Sequence, residues 1–101
     1  MIKGICETRQ VYIGSDELLP DKSQKVWNHS PDGFMWGYGG SGPAQLALAI
    51  LLEFTDEENA VRLHQGFKWK FIASKYIGSD FELDENEVIE WVTNQQVVTI
   101  D

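Results

Sequence analysis

Three glycines that precede an apolar run are the residues of this sequence best placed to do chemistry. Residues 36–52 read WGYGGSGPAQLALAILL, and Gly37, Gly39 and Gly42 satisfy the pattern G-x-G-x-x-G. Where such glycines join a strand to a helix, the backbone can approach a phosphate and the free N–H groups of the helix can bind it. The stretch is therefore either a phosphate-binding turn or a tight corner between packed elements.

The surroundings of the glycines do not fit a dinucleotide fold of the Rossmann type. That fold needs a parallel strand after the helix and an acidic residue about 20 residues beyond the glycines. Asp56 and Glu57 lie near that distance, but they fall in the first turn of a second predicted helix, where the helix dipole already explains them. We therefore expect neither NAD nor FAD, and no other cofactor.

A local anion site at the helix start remains a hypothesis. Glycine amides and a hydroxyl can bind a phosphate, and neighbouring aromatic rings can stack on a base for about 1–3 kcal/mol each. Pro43 removes one donor from this set. The predicted ligand-binding residues are Trp27, Trp36, Tyr38, Gly39, Gly40, Ser41, Ala44 and Gln45. The alternative is that the glycines turn the chain and the aromatic rings belong to the core.

Acidic residues outnumber basic residues by 16 to 8, which gives a net charge of −8. This charge opposes binding to DNA or RNA, so we expect no nucleic-acid polymer as a partner. Residues 53–90 hold ten of the acidic residues against four Lys or Arg. Such a face is usually only solvated, but it can also bind a basic protein surface. The second hypothesis is an acidic inhibitor or adaptor that acts through Glu57, Glu58, Glu85, Glu87 and Glu90.

Other reactive side chains give weaker signals. Residues 29–32 contain the types of a catalytic triad, but groups so close in one turn seldom reach the required geometry. His29 and His64 lack a third partner at metal-binding spacing, so we expect no metal site. In FKWKF, alternating basic and aromatic residues can grip a nucleotide, but on a helix they point in different directions, so Lys68 and Lys70 are expected instead to cover the core with their stems. A binding protein is therefore favoured over an enzyme.

Length and composition indicate one soluble domain. The chain has 101 residues, enough to bury roughly two-thirds of the surface of its unfolded form, and a single cysteine, Cys6, which excludes an internal disulfide. Its longest apolar run, residues 46–52, is far shorter than the roughly 20 residues of a membrane span. We expect a cytoplasmic protein with no membrane contact. An exposed aromatic face on a short sheet would favour a homodimer.

The sequence pattern predicts an α+β fold. Residues 1–14 predict one or two strands, and residues 25–29 another, which the turn SPDG joins to a return strand, FMWGYG. On that hairpin, Phe34, Trp36 and Tyr38 would share one face. Residues 97–100 predict a last strand. The prediction is thus a small antiparallel sheet, from the N-terminal half and the C-terminal strand, with about three helices on one face.

The three predicted helices have recognisable starts. The first begins at Pro43 and is apolar all round, which predicts a central core helix. The second begins at Thr55, with Glu58 completing a capping box, and is weakened at Gly66. The third begins at Asp84, again with a glutamate three residues on.

The block WNHSPDGFMWGYGGSGPAQLALAILLEFT, together with FKWKFIA, resembles a family of small bacterial and bacteriophage proteins known only as a domain of unknown function. The resemblance covers most of the chain, from VYIG to the helix at Asp84. It implies no established reaction or cofactor. The phage setting of that family implies a role in conflict between virus and host, so the leading hypothesis is a phage-encoded sponge for a phosphorylated or nucleotide-like signal.

Overall fold

The computed structural model describes residues 1–96, which form an α+β fold as the sequence predicts. The strands are β1 (Ile2–Ile5), β2 (Gln10–Ile13), β3 (Asp16–Leu18) and β4 (Phe81–Leu83). The helices are α1 (Asp21–Val26), α2 (Ser41–Phe54), α3 (Glu57–Phe67) and α4 (Glu85–Gln96), and a π-helical turn, Lys68–Ile72, follows α3 directly.

The four strands form one antiparallel sheet in the order β3-β2-β1-β4. In β1, Ile2 and Gly4 are buried while Lys3 and Ile5 face solvent. This alternation leaves one face of the sheet for the helices to cover. Gly4 gives room on the covered face, because a Cβ at this position would overlap the ring of Phe81.

Helix α2 is the centre of the core, as its uniform apolar pattern predicts. Residues 42–51 of this helix are all buried. The helix begins at Ser41, two residues before the predicted start, so Pro43 lies inside the first turn, where its missing N–H removes no hydrogen bond within the helix. Thr55 ends the helix by donating its backbone N–H to the carbonyl of Leu51 at 2.8 Å.

The predicted strand at residues 25–29 and the hairpin built on it are wrong. Helix α1 takes residues 21–26, and residues 27–40 are irregular. The SPDG turn itself is confirmed, with the N–H of Gly33 donating to the carbonyl of Ser30 at 3.2 Å. The return strand fails at Gly37, whose φ of +90° does not occur in strands. Its N–H donates instead to the carbonyl of Ile72 in the π-helical turn.

The remaining helix starts are close to their predicted positions. Asp56, not Thr55, caps α3, since its carboxylate accepts from the amide of Asn59 at 2.9 Å. The helix passes Gly66 unbroken and widens only in the π-helical turn. At α4, the carboxylate of Asp84 accepts from the amide of Asn86, which confirms the predicted start. The predicted strand at residues 97–100 lies outside the described residues.

The helices of residues 1–96 are all too short or too polar to cross a bilayer.

Candidate functional site

Three of the predicted ligand-binding residues are buried in the protein, and two of them, Trp36 and Ala44, lie beside the glycines in the sequence. Trp36 is 0% exposed, and its indole N–H donates to the carbonyl of Ser79 at 2.7 Å. Its ring packs edge-on against Phe81, with the centroids 4.7 Å apart. Ala44 is buried in α2 and gives its N–H to the carbonyl of Gly40. In this structure both residues support the glycine-rich stretch from inside the core.

Gln45 is also 0% exposed, and its amide is fully used by neighbouring protein groups. Its nitrogen donates to the Ser23 hydroxyl at 2.9 Å and to the carbonyl of Trp27 at 3.1 Å. Its oxygen accepts from the backbone N–H groups of His29 and Ser30 at 2.7 and 2.9 Å. Gln45 thus fixes the path of the irregular segment that follows α1.

The second half of the glycine-rich stretch is at the surface, between two aromatic rings. A Cβ on Gly39 would overlap the ring of Trp69, and a Cβ on Gly40 would overlap the ring of Tyr38. These glycines therefore make room for the protein's own side chains. Trp69 is 61% exposed and Tyr38 is 43% exposed. Together with exposed Ser41, they form the open side of the stretch.

Lys68 reaches this stretch from the π-helical turn. Its ammonium donates to the carbonyl of Gly39 at 3.1 Å and lies 4.5 Å from the ring centroid of Trp69. Only 6% of the residue is exposed. No carboxylate of residues 1–96 lies within ion-pairing distance of it. A lysine buried without a carboxylate is unusual, because desolvating an unpaired charge is unfavourable.

His29 and His64, far apart in the sequence, face each other in the structure. Their Nε2 atoms are 2.9 Å apart. The ring centroids are 5.0 Å apart, so the nitrogens point at each other nearly head-on, as in a hydrogen bond. Half-exposed Trp27 stacks on His29 with centroids 4.5 Å apart and meets His64 edge-on. Trp27 thus covers the histidine pair and not the glycines.

The hydrogen bonds assign the protons of this pair. Nδ1 of His64 lies 2.6 Å from the carbonyl oxygen of Val61, so it carries the proton and donates. Nε2 of His64 is then the acceptor, and Nε2 of His29 donates to it. Burial lowers the pKa of His29, and the nearby charges of His64 and Lys68 lower it further. Burial lowers the pKa of His64 as well, so both rings are neutral at pH 7.

The Lys68 cluster is defined as Lys68, His29 and His64 with the rings of Trp27, Trp69 and Tyr38. Sequence reasoning considered both histidines and Lys68 but did not bring them together. His64 and Lys68 are four residues apart on a continuous helical path, so they share a face, which the sequence could have indicated. The approach of His29 depends on the irregular segment held by Gln45, which no local pattern predicts. Within residues 1–96, no three His, Cys, Asp or Glu side chains converge as metal ligands.

The acidic residues of the second hypothesis are divided among different surfaces. Glu57 and Glu58 are exposed in the first turn of α3. Glu87 and Glu90 line a groove of about 360 Å³ with Lys70, Phe71, Trp91 and Asn94. Glu85 lines a groove of about 480 Å³ between the sheet and α1, with four further carboxylates from Asp16, Glu17, Asp21 and Glu53. Neither groove includes a residue of the Lys68 cluster.

Comparison with known proteins places the chain in a family. The model of a family of unknown function, DUF6166, matches residues 3–94, so the chain belongs to that family. No curated protein and no solved structure matches it.

Proposed function

We propose that this DUF6166 protein is a non-enzymatic binding module that captures a small phosphorylated or nucleotide-like ligand beside Lys68. The observation that carries the proposal is Lys68, a buried residue whose charge has no carboxylate partner within residues 1–96 of a chain of net charge −8. Among the described residues its one acceptor is the neutral carbonyl of Gly39, which leaves two N–H donors and a full positive charge. An anion bound here would supply the missing counter-charge.

The surface around Lys68 suits a ligand with an aromatic part. Tyr38 and Trp69 present partly exposed rings on either side of Gly39 and Gly40. Stacking on such rings contributes roughly 1–3 kcal/mol per base. The start of α2 adds the exposed hydroxyl of Ser41 and a favourable dipole of about 0.3–1 kcal/mol. Of the residues expected from the sequence, Tyr38, Gly39, Gly40 and Ser41 would therefore contact the ligand directly.

The biological role that fits such capture is a cytoplasmic sponge for a host signal. The resemblance of the NHSPDGF block to bacteriophage proteins supports an anti-defence role of this kind. Capture of a ligand requires affinity but no catalytic turnover. The Lys68 cluster offers a positive charge for an anionic group and aromatic rings for stacking, both of which contribute to affinity. In the neutral histidine pair, both nitrogens of His64 and Nε2 of His29 make internal hydrogen bonds.

The test is a thermal-shift screen of inorganic phosphate and of mono-, di- and cyclic nucleotides. At a ligand concentration about 100 times Kd the folded state gains about 2.7 kcal/mol, which raises the Tm of a domain of this size by about 13 °C. Lys68→Met should abolish this rise. The matched control is Lys70→Met, because Lys70 is two residues away but exposed. A panel with no shift, or an equal shift in Lys68→Met, would contradict the proposal.

A second candidate is the acidic adaptor, which one observation favours. Glu87 and Glu90 flank the aromatic side chains of Phe71 and Trp91 in the smaller groove, so this groove could take a basic and apolar segment of a protein partner. Capture of a host protein that weakens in high salt and is lost in Glu87→Gln/Glu90→Gln, but kept in Glu7→Gln, would support it. Salt-independent capture, or capture that the double variant retains, would exclude it.

A further inference from the structure

Among the described residues, three of the four ring nitrogens of the histidine pair have hydrogen-bond partners, and one nitrogen can still accept a proton. The ring of His64 is committed at both nitrogens, to Val61 and to His29. The ring of His29 is committed only at Nε2. Its Nδ1 has no hydrogen-bond partner among the described residues, and the residue is partly exposed. Nδ1 of His29 is therefore the place where this pair can accept a proton without losing a hydrogen bond.

Protonation of His64 would be disruptive by comparison. A proton on its Nε2 would place two N–H groups head-on at a nitrogen separation of 2.9 Å. His64 is also almost completely buried, so its cation would be desolvated. A proton on Nδ1 of His29 leaves the Nε2–H to Nε2 hydrogen bond in place and strengthens it, because the donor then carries a charge.

Without a ligand, the surroundings oppose this proton. His64 and Lys68 are one helical turn apart, so the ammonium lies close to the pair. The titratable groups that act on His29 are His64, from α3, and Lys68, from the π-helical turn. The other groups that contact His29 are uncharged, namely the amide of Gln45 from α2 and the ring of Trp27. An anion beside Lys68 would reverse the sign of this local field.

We propose that His29 takes up a proton from solvent at Nδ1 when an anion binds beside Lys68, so that the site binds an anion and a proton together. The inference rests on the proposed function and adds its regulation. By linkage, anion affinity must then rise as the pH falls, by up to about tenfold per pH unit for one proton. At a fixed anion concentration, more of the protein therefore binds the anion when the pH falls, and less of it does when the pH rises.

The probe for this coupling is sulfate, because its charge is constant between about pH 5.5 and pH 8, whereas a phosphate group titrates near pH 6. Sulfate is titrated calorimetrically into the full chain at both pH values, in two buffers that differ in ionisation enthalpy. The buffer dependence of the heat counts the protons taken up. We expect tighter binding at the lower pH and uptake of up to one proton in the intermediate range.

Two variants assign the proton and the anion. His29→Gln should bind sulfate with the same affinity at both pH values and without proton uptake. Lys68→Met should not bind sulfate at either pH, while Lys70→Met should behave like the wild type. Ring NMR signals add a direct readout, since the chain has only two histidines. Saturating sulfate should move the titration of His29 to higher pH and leave the His64 ring neutral.

The outcomes separate this inference from the proposed function. Sulfate binding with equal affinity at both pH values and no proton uptake overturns the coupling, while the proposed capture at Lys68 stands. Proton uptake that persists in His29→Gln also overturns it, because the proton then lies elsewhere. Absence of sulfate binding at every pH overturns it as well, and the nucleotide panel then decides the proposed function alone.

Discussion

Gln45 and Lys68 are two buried polar side chains that both form hydrogen bonds with the irregular segment 27–40. They differ in how many of their hydrogen bonds, and how much of their charge, the protein satisfies. The amide of Gln45 makes four hydrogen bonds, which use both of its donors and both acceptor positions. Its partners are Ser23, Trp27, His29 and Ser30. The ammonium of Lys68 has one neutral acceptor, the carbonyl of Gly39, and no carboxylate partner within residues 1–96.

The difference teaches how to separate a structural group from a binding group when both are buried. Burial of a polar side chain alone does not distinguish them, since the exposed fractions are 0% and 6%. The two kinds of group are distinguished by whether the protein provides partners for all of their hydrogen bonds and for their charge. Gln45 is matched completely by the protein, so its role ends with the fold. Lys68 is matched only in part, and the proposed function assigns its remaining charge to a ligand.

Replacement of Gln45 should give the largest loss of stability. In Gln45→Leu the volume is nearly kept, but four hydrogen bonds worth about 0.5–1.5 kcal/mol each are lost. The N–H of Ser30 also loses its partner, which costs about 1–3 kcal/mol, whereas Ser23, Trp27 and His29 each keep one other hydrogen bond. We expect the free energy of unfolding in urea to fall by about 3 kcal/mol or more. The control is Gln95→Leu, at an exposed site on α4, which should change it by less than about 0.5 kcal/mol. An equal effect of the two changes would contradict the structural role.

The two halves of the glycine-rich stretch should respond differently to alanine. Gly37 has φ +90°, and a Cβ there would lie 2.5 Å from the backbone nitrogen of Ile77, so Gly37→Ala should cost about 2–3 kcal/mol. Gly40 has φ −94°, and its Cβ would meet the partly exposed ring of Tyr38, which can turn aside. Gly40→Ala should therefore cost less than about 1 kcal/mol and weaken ligand binding.

Denaturant unfolding of each glycine variant, followed by a nucleotide titration of the folded protein, checks this contrast. Gly14→Ala serves as the control for Gly37, because Gly14 has φ +62° with no atom in the way and isolates the cost of the backbone conformation. A large loss of stability in Gly40→Ala with unchanged ligand affinity would mean that the second half of the glycine-rich stretch is only a tight turn. Lys68 would then have no binding surface around it.

The fold was predictable where local signals act alone. The apolar run after Pro43, the acidic cap at Asp84 and the turn SPDG each depend on neighbours within a few residues. The hairpin prediction failed because a period-two pattern of aromatic residues was interpreted as a strand. Phe34 and Trp36 are buried from an irregular segment, and Gly37 breaks the pattern by its positive φ before Tyr38.

The site was predictable only in part. The glycines and Tyr38 were identified from their types and spacing. The spacing of His64 and Lys68 could have indicated a shared helical face, but nothing local connects that face to the glycines. The connection is tertiary, because the hydrogen bond from Lys68 to Gly39 spans 29 residues and the one between His29 and His64 spans 35. Separations of this kind are outside the reach of periodicity.

Replacement of Lys68 should change stability little while it removes binding. Lys68→Met keeps an unbranched stem of similar shape, removes a charge that has no carboxylate partner within residues 1–96 and loses one hydrogen bond, so the free energy of unfolding should stay within about 1 kcal/mol of the wild type or rise. Calorimetric unfolding with and without ligand measures both properties. A loss well above that range would place Lys68 with Gln45 among the structural groups, and the contrast between them would fail.

The smallest expected effect is the pH dependence of stability without a ligand. Burial lowers the pKa of His29 and of His64 in the folded chain below the ordinary value of 6.5, and the charge of Lys68 acts in the same direction on both rings. The charge of His64 lowers the pKa of His29 further, while backbone hydrogen bonds to Val61 and Ala60 oppose the lowering of the pKa of His64. The unfolded chain therefore binds more protons than the folded chain as the pH falls below 6.5. The histidines thus contribute little to the pH dependence well above that value. As the pH falls from about 6.5 toward the lowered pKa values they increasingly destabilise the fold, and the loss levels off below those values.

The free energy of unfolding, measured in urea between about pH 7.5 and pH 5.5, should accordingly decrease toward acid, and His29→Gln should decrease less steeply because one of the two groups is gone. The same measurement in sulfate tests the contrast between Lys68 and Gln45. If the Lys68 cluster binds an anion and a proton together, sulfate should flatten the acid decrease in the wild type more than chloride of equal ionic strength does. It should leave Lys68→Met unchanged. Equal slopes in the two salts would contradict the coupling of the anion to a proton on His29. A gain in stability from sulfate that is the same at every pH would still support anion capture at Lys68, and the absence of any gain would place Lys68 with Gln45 among the structural groups.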